Sequence, residues 1–236
     1  MWDERYKTHD TVYGLKPNVF WASRMALWPA GSVCLPCDGE GRNGVWAAEQ
    51  GWDVHAFDLS EVGVSKTKQL AQTRGVALSV HVADAMTVEL DRTFDAVGLV
   101  FAHMPPELRA AFHRRAWSWV KPGGHLVVEG FHRDQLGLNS GGPKMREMLF
   151  HEGTFVEDLV EVEDDARLVW NARCEQVLDE GPFHQGPAVT CQVVLQKHGD
   201  GQLSARTAGQ VFERRGVGHR GARGGRASGR RGRRRL

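Results

Sequence analysis

From residue 29 onward, short apolar runs alternate with segments whose apolar residues recur every three or four positions. The runs near 31–36, 53–57, 77–82, 94–100 and 124–129 predict strands, and the segments near 42–50, 61–74 and 105–119 predict helices. Strands and helices that alternate in this way predict a parallel sheet covered on both faces. Past residue 150 the pattern changes to a short helix near 154–160, a strand near 166–170, and two strands around Glu175–Leu178 and Ala188–Gln196 that should pair antiparallel and close the sheet. The helix after Pro105-Pro106 sets Leu108, Phe112, Ala116 and Trp119 on one stripe, predicted to be buried, and Arg109, Arg114 and Arg115 on a solvated face. The expected fold class is α/β, a doubly wound and mostly parallel sheet with a C-terminal antiparallel strand pair, forming one domain over 29–198. Residues 1–28 form an N-terminal cap segment, in which the string Trp2, Asp3, Arg5, Tyr6, Tyr13, Gly14 leads to a helix opened by Pro17.

The exit of the first strand carries the chemistry. Val33 to Pro36 run into Cys37-Asp38-Gly39-Glu40-Gly41-Arg42-Asn43-Gly44, a glycine-rich turn that opens a helix. Glycines there let the backbone turn tightly and approach a ligand, and the helix start directs free N–H groups at the same spot, so a nucleotide or nucleoside cofactor is expected. Gly39, Gly41 and Gly44 also satisfy the GxGxxG pattern of dinucleotide sites, with Asp58 downstream. The turn alone does not choose between them.

Composition narrows the class. With 236 residues, 41% of them hydrophobic, the chain is long enough for one substantial core. No run of eighteen apolar residues and no charged-then-apolar leader is present, which predicts a soluble, cytoplasmic protein without membrane partners. Four cysteines include the C-x-x-C of Cys34 and Cys37, but no matched second pair of ligands accompanies it, so no metal site is predicted and buried small side chains are expected. Charge is divided unevenly: residues 199–236 hold eleven arginines against Asp200 and Glu213, a local +9, so that residues 1–198 carry −8 of the net +1. That Arg/Gly-rich tail has few large apolar residues and is expected to be disordered. It suits a nucleic-acid-binding arm, and equally a tail with no selected role.

Two later features favour one cofactor. Val82-Ala83-Asp84-Ala85 follows the third strand, and Lys121-Pro122-Gly123-Gly124 precedes the fifth. With the glycine turn and Asp58, this ordered set resembles class I S-adenosylmethionine (SAM)-dependent methyltransferases, whose fold is Rossmann-like. Trp2-Asp3-Glu4-Arg5-Tyr6, Tyr13-Gly14-x-x-Pro17-Asn18-x-Phe20, Gly39-Glu40-Gly41-Arg42-Asn43, Glu49-Gln50-Gly51-Trp52-Asp53-Val54 and Asp58-Leu59-Ser60 are similar to the tellurite-resistance and thiopurine-methyltransferase-like branch. The likeness extends over about residues 1–197 and reaches Glu129-Gly130-Phe131-His132 and Ser140-Gly141-Gly142-Pro143-Lys144. Where that family carries an acid on the first strand and a glycine before the turn, this chain has Leu35 and Cys37, with Asp38 next to the turn.

The resemblance implies SAM as cofactor. Asp38, Gly39, Gly41 and Arg42 would line its amino-acid part, Asp58 and Leu59 its ribose side, and Asp84 and Ala85 its adenine, with Phe101 beside the sulfonium. His103 and His132 are the candidate bases, and Trp2, Tyr6, Tyr13 or Trp21 could cover the pocket. Tyr13, Lys144 and Arg146 are the candidate substrate contacts, the last two favouring an anion. The reaction implied is methyl transfer to a small-molecule acceptor, most readily a soft sulfur, selenium or tellurium nucleophile. Competing readings are an RNA or DNA methyltransferase recruited by the basic tail, a degenerate SAM-fold binding protein, and an NAD-dependent oxidoreductase.

Overall fold

The structure, a computed structural model, describes residues 1–160 and 165–199. The predicted tail of 199–236 lies, beyond Gly199, outside the described residues.

Two short helices come first, α1 (Trp2–Tyr6) and α2 (Val19–Met25). Then follow β1 (Ser32–Pro36), α3 (Arg42–Glu49), β2 (Asp53–Asp58), α4 (Glu61–Arg74), β3 (Ser79–Val82), β4 (Phe94–Val100), α5 (Pro106–Ser118) and β5 (Val120–Phe131). Single 3-10 turns at Arg133–Gln135 and Arg146–Met148, the helix α6 (Thr154–Asp158), β6 (Ala166–Asp179) and β7 (Gln185–Lys197) complete the chain. The seven strands lie in the order β3-β2-β1-β4-β5-β7-β6, parallel from β3 to β5, with β7 antiparallel to both neighbours.

Strand periodicity sorts the core onto two faces. Along β5, Leu126 and Val128 join Phe57, Val97, Leu99, Phe112 and Trp117 beneath α5 and α6, while Val127 points the other way and joins Val33, Leu35, Val54 and Ala96 beneath α2 and α3. Phe20, Trp21 and Met25 of α2 are buried in that second layer, so the N-terminal segment is packed as part of the core.

Four details differ from the sequence expectation. Helix α2 starts at Val19, because the Asn18 side chain caps it by accepting the Trp21 N–H at 2.8 Å and Pro17 precedes the cap. The Lys121–Gly124 segment is a bulge within β5: Phe94 pairs with Val120 and Ala96 with His125, and Gly123 takes φ +80°. The strands expected near 166–170 and 175–178 are one, β6, with only a register shift between Leu168 and Trp170. On α5 the buried residues are Phe112, His113, Ala116 and Trp117, whereas Leu108 is exposed. Its arginines are engaged: Arg109 forks onto Asp158 at 2.8 and 3.1 Å, Arg114 reaches the Asp158 carbonyl, and Arg115 donates to the carbonyls of Ala85 and Val88. They clamp α6 and the β3–β4 connection onto the helix. Asp158 is also held by His113 at 2.7 Å. Burial alone would raise its pKa, and these hydrogen bonds bring it down to about 2.

Candidate active site

Strand order reverses between β1 and β4, and at such a point a parallel sheet opens a crevice at its carboxyl edge. Among the described residues, only two non-glycine residues adopt positive φ, and they stand at the ends of these two strands: Cys37 at 59° and Phe101 at 53°. A left-handed backbone costs an L-residue about 1–2 kcal/mol, and such strain clusters where a site needs it.

On the β1 and β2 side, the polar groups are carboxylates. Asp58, at the end of β2, accepts the Gly39 N–H through one oxygen and the Ser60 N–H through the other, both at 2.9 Å. The cap of α4 is Ser60, whose hydroxyl accepts the Gly63 N–H. Each Asp58 oxygen therefore keeps a lone pair for further donors. Burial raises its pKa in spite of the two bonds. Asp38 is turned against α3, where Oδ2 accepts the Gly44 N–H at 3.1 Å, and its Oδ1 is buried without a partner. Burial pushes this carboxyl up to about 8, against the pull of the Gly44 bond.

Gly39 and Gly41 do not face open space. A Cβ at Gly39 would lie 2.5 Å from the Tyr6 hydroxyl and one at Gly41 2.4 Å from Thr67, so these positions must be glycine for α1 and α4 to close over the turn. Tyr6 thereby joins the site. Its hydroxyl hydrogen-bonds to no described residue, and burial, then the charge of Asp58, raises its pKa. Leu59, which follows Asp58 in the chain, is 62% exposed. Asp84 is exposed and accepts the Met86 N–H, while Ala85 is buried and gives its carbonyl to Arg115.

The charged residues of the turn serve a different purpose. Glu40 accepts the Val12 and Tyr13 N–H groups and pairs with Lys66 at 2.8 Å, which straps the N-terminal segment over the turn. Arg42, expected against the cofactor, spends its guanidinium on Glu180 at 2.8 Å. Asn43 accepts the Asn18 N–H, and the Asn18 amide donates to Glu129 at 2.5 Å and Glu180 at 3.1 Å. Buried Glu129 receives Gln176, Thr190 and Gln192 as well, each at 2.9 Å. One polar network thus joins the cap, the turn, β5 and the β6–β7 hairpin.

On the β4 and β5 side, the surface is aromatic. The Phe101 ring lies 4.6 Å from Phe131 and 4.5 Å from His184, and Tyr13 also lies 4.5 Å from His184. Both ring nitrogens of His103 are engaged. Its Nδ1–H donates to the Met148 carbonyl and its Nε2 accepts the Phe131 N–H, both at 2.9 Å, and burial lowers its pKa to about 4. His132 is likewise engaged, its Nδ1 accepting the Asp134 N–H at 3.0 Å with Glu152 3.5 Å from Nε2. His184, which sequence reasoning missed, points Nδ1 at Glu180 (3.5 Å), and no described residue bonds its Nε2. Burial lowers its pKa. Glu180 is itself held by this contact and by Arg42, which overcome burial and take it down to about 2. Lys144 and Arg146 are exposed.

Among the described residues, no group of His, Cys, Asp or Glu is arranged to hold a metal, the four cysteines are free, and no helix is long and apolar enough to cross a membrane. An open recess of about 650 Å³ near the start of β4, lined by Glu89, Arg92, Arg115 and Trp119, lies at the amino edge of the sheet, away from these groups.

Comparison with known proteins agrees with this geometry. Residues 36–124 match a family model described as a methyltransferase domain. Thiopurine S-methyltransferase of Pseudomonas putida (strain GB-1) is 26% identical over 133 residues, which span 48% of this chain and 62% of that protein. The chain thus spans about three fifths of the length of this curated relative. TehB from Haemophilus influenzae superposes with a TM-score of 0.59 at 14% identity, covering 75% of this chain and 61% of that one. Magnesium protoporphyrin IX methyltransferase (ChlM) from Synechocystis PCC 6803 with bound SAM gives 0.56 at 19% identity, covering 75% and 77%. The strand order and the glycine turn are those of the class I methyltransferase fold, and within it residues 36–124 match a methyltransferase domain.

Proposed function

We propose that this protein transfers a methyl group from SAM to a small-molecule acceptor whose nucleophile is sulfur, selenium or tellurium. The observation that carries the reading is the pair of strained residues, Cys37 and Phe101, at the reversal of strand order, with carboxylates on one side and an aromatic wall on the other.

The residues present fit the cofactor. Asp58 has acceptor capacity left for a pair of hydroxyls, the orphaned Asp38 Oδ1 suits a cationic amino group, the Tyr6 hydroxyl is unspent, and exposed Leu59 offers an apolar surface to a base. When bound, SAM supplies an activated methyl carbon. The protein's contribution is alignment, and holding two reactants in line accounts for most of the acceleration such a transfer needs. Phe101, Phe131, Tyr13 and His184 form a wall against which an acceptor can be oriented. A thiolate or selenolate asks little of a base. Where a proton must leave, His184 is placed to take it at Nε2, with Glu180 holding the Nδ1–H. The S-methyltransferase named among the relatives supports a sulfur acceptor.

The test is isothermal titration of the full chain with SAM and S-adenosylhomocysteine, followed by methyl transfer from labelled SAM to thiols, selenite and tellurite. Micromolar binding with transfer to at least one of these is the expected result. Binding without transfer to any of them would overturn the acceptor class, and absence of binding would overturn the activity.

A further inference from the structure

Arg5 is the cation of the site that the network leaves without a counterion. Arg42, Lys66 and Arg109 each answer a carboxylate, at 2.8 Å in every case. Half-buried Arg5 answers none among the described residues. Its guanidinium donates to the Tyr13 hydroxyl at 3.2 Å and lies 4.9 Å from the Trp2 ring and 5.7 Å from the Phe183 ring. Rings of this kind hold a guanidinium in place while leaving its charge uncompensated. Tyr13, to which it is bonded, continues through His184 to Phe101.

The position of Arg5 is set from two directions. Asp3 anchors α1 by accepting the Ser60 hydroxyl and the Val62 N–H. The Val12–Gly14 backbone is pressed on the hairpin tip, where a Cβ at Gly181 would stand 2.4 Å from the Gly14 nitrogen and where the Phe183 N–H donates to the Val12 carbonyl. Trp2, Phe183 and Tyr13 therefore form a fixed aromatic frame around a charged fork, and a fork of this type recognises a carboxylate or similar oxyanion through paired hydrogen bonds.

We propose that Arg5 reads an anionic group on the methyl acceptor, so that the acceptor is a flat molecule carrying both a soft nucleophile and a carboxylate-like oxyanion. This rests on the methyltransferase reading of the same site. It gives the anion-binding role expected of Lys144 and Arg146 to a residue of the N-terminal segment.

The probes are 2-mercaptobenzoate and benzenethiol, which share ring and thiol and differ in the carboxylate. Each is titrated calorimetrically, under reducing conditions, into the full chain saturated with S-adenosylhomocysteine, for the unaltered protein, Arg5→Gln and Arg5→Lys. The expected result is at least tenfold preference for 2-mercaptobenzoate, loss of that preference in Arg5→Gln, partial retention in Arg5→Lys, and unchanged benzenethiol affinity in all three. The unchanged arm also shows that the variants are folded. Equal affinity for the two probes in the unaltered protein, or a preference that survives in Arg5→Gln, would overturn the proposal. So would a loss of S-adenosylhomocysteine affinity in Arg5→Gln, which would give Arg5 to the cofactor. Selective, Arg5-dependent binding without methyl transfer would sustain the anion site and overturn the sulfur-acceptor reading, so the two failures are distinguishable.

Discussion

The two sides of the crevice are built by different means. Below β1 and β2 the elements are Asp38, Asp58 and the glycine turn, all within 21 residues of one another and positioned by backbone N–H groups. Beside β4 and β5 the surface is aromatic, and Phe101, Phe131, His184 and Tyr13 come from four separate parts of the chain. The first side is a short local motif that presents fixed charge. The second is a packing arrangement whose polar groups, His103 and His132, are largely spent on the scaffold. The acceptor wall can thus be varied at Phe101 and Phe131 while the cofactor side is kept, whereas Tyr13 and His184 are tied to the turn through Glu40 and through Glu180 and Arg42.

That separation is broken most directly at Asp58. Replacing it by Asn leaves at least one of the Gly39 and Ser60 N–H groups unanswered and removes the charged acceptor. Hydrogen bonds to charged groups contribute about 1.5–3 kcal/mol each. We expect SAM affinity by titration calorimetry to fall roughly 100-fold, on the scale of 1.4 kcal/mol per factor of ten, with acceptor affinity unaffected. An unchanged SAM affinity would remove Asp58 from the cofactor side.

Asp38 gives the next largest effect, through pH. Its folded pKa of about 8 lies far above the ordinary 3.8. The sign follows from linkage: the stability this group contributes is fully present below about pH 4 and is lost progressively as pH rises toward 8. If the ionised form meets the amino group of SAM, cofactor affinity moves the opposite way, rising about tenfold per pH unit between 6 and 7 and levelling near 8. Asp38→Asn should abolish that slope and stop the loss of stability with rising pH. A flat binding profile in the unaltered protein would mean that Asp38 only caps α3.

How much of this was legible in the sequence follows the same division. The alternation of strands and helices, the turn at Gly39 and Asp58 were readable because each depends on neighbours in the chain. Even there the reason for the glycines differed, since Tyr6 and Thr67 close over them. The aromatic side was readable only in part: Phe101 and Tyr13 were picked out but His184 was not, and the network that holds its partner Glu180 joins Arg42 to Glu180 across 138 positions and Asn18 to Glu129 across 111. No periodicity carries such pairs. The arginines of α5 misled for a related reason: as charged residues they were assigned to solvent, but the solvent expected there is replaced by α6 and the β3–β4 connection.

Phe101 tests the aromatic side and separates its strain from its surface. Phe101→Ala keeps the positive φ and removes the ring that meets Phe131 and His184. We expect the acceptor KM to rise about tenfold, the loss of a contact of about 1.4 kcal/mol, with SAM affinity within twofold. Phe101→Gly should match it in KM but be more stable than the Ala variant by about 1 kcal/mol in urea unfolding, because glycine accepts φ near +53° without a Cβ clash. Equal stability of the two variants would show that the backbone there stores no strain.

The smallest effect on turnover is expected at His103, and it decides whether this histidine belongs to the chemistry or to the scaffold. His103→Phe retains the ring stacked 4.5 Å from Phe150 and removes both nitrogens, leaving the Phe131 N–H and the Met148 carbonyl without their partners. An unanswered buried polar group costs about 1–3 kcal/mol, so the midpoint of thermal unfolding should fall. Turnover at saturating substrate should stay within about threefold of the unaltered protein, with the same pH profile, whereas removal of a general base costs about 10²–10⁴. His184→Gln is the counterpart: Nε2 is the ring nitrogen that the scaffold leaves open, and its loss should alter the pH profile for acceptors that must lose a proton and leave pre-ionised thiolates nearly unaffected. A large loss at His103 with none at His184 would reverse the assignment, because a nitrogen bonded to the backbone in this structure would then have to exchange the Phe131 N–H for the acceptor's proton during the reaction.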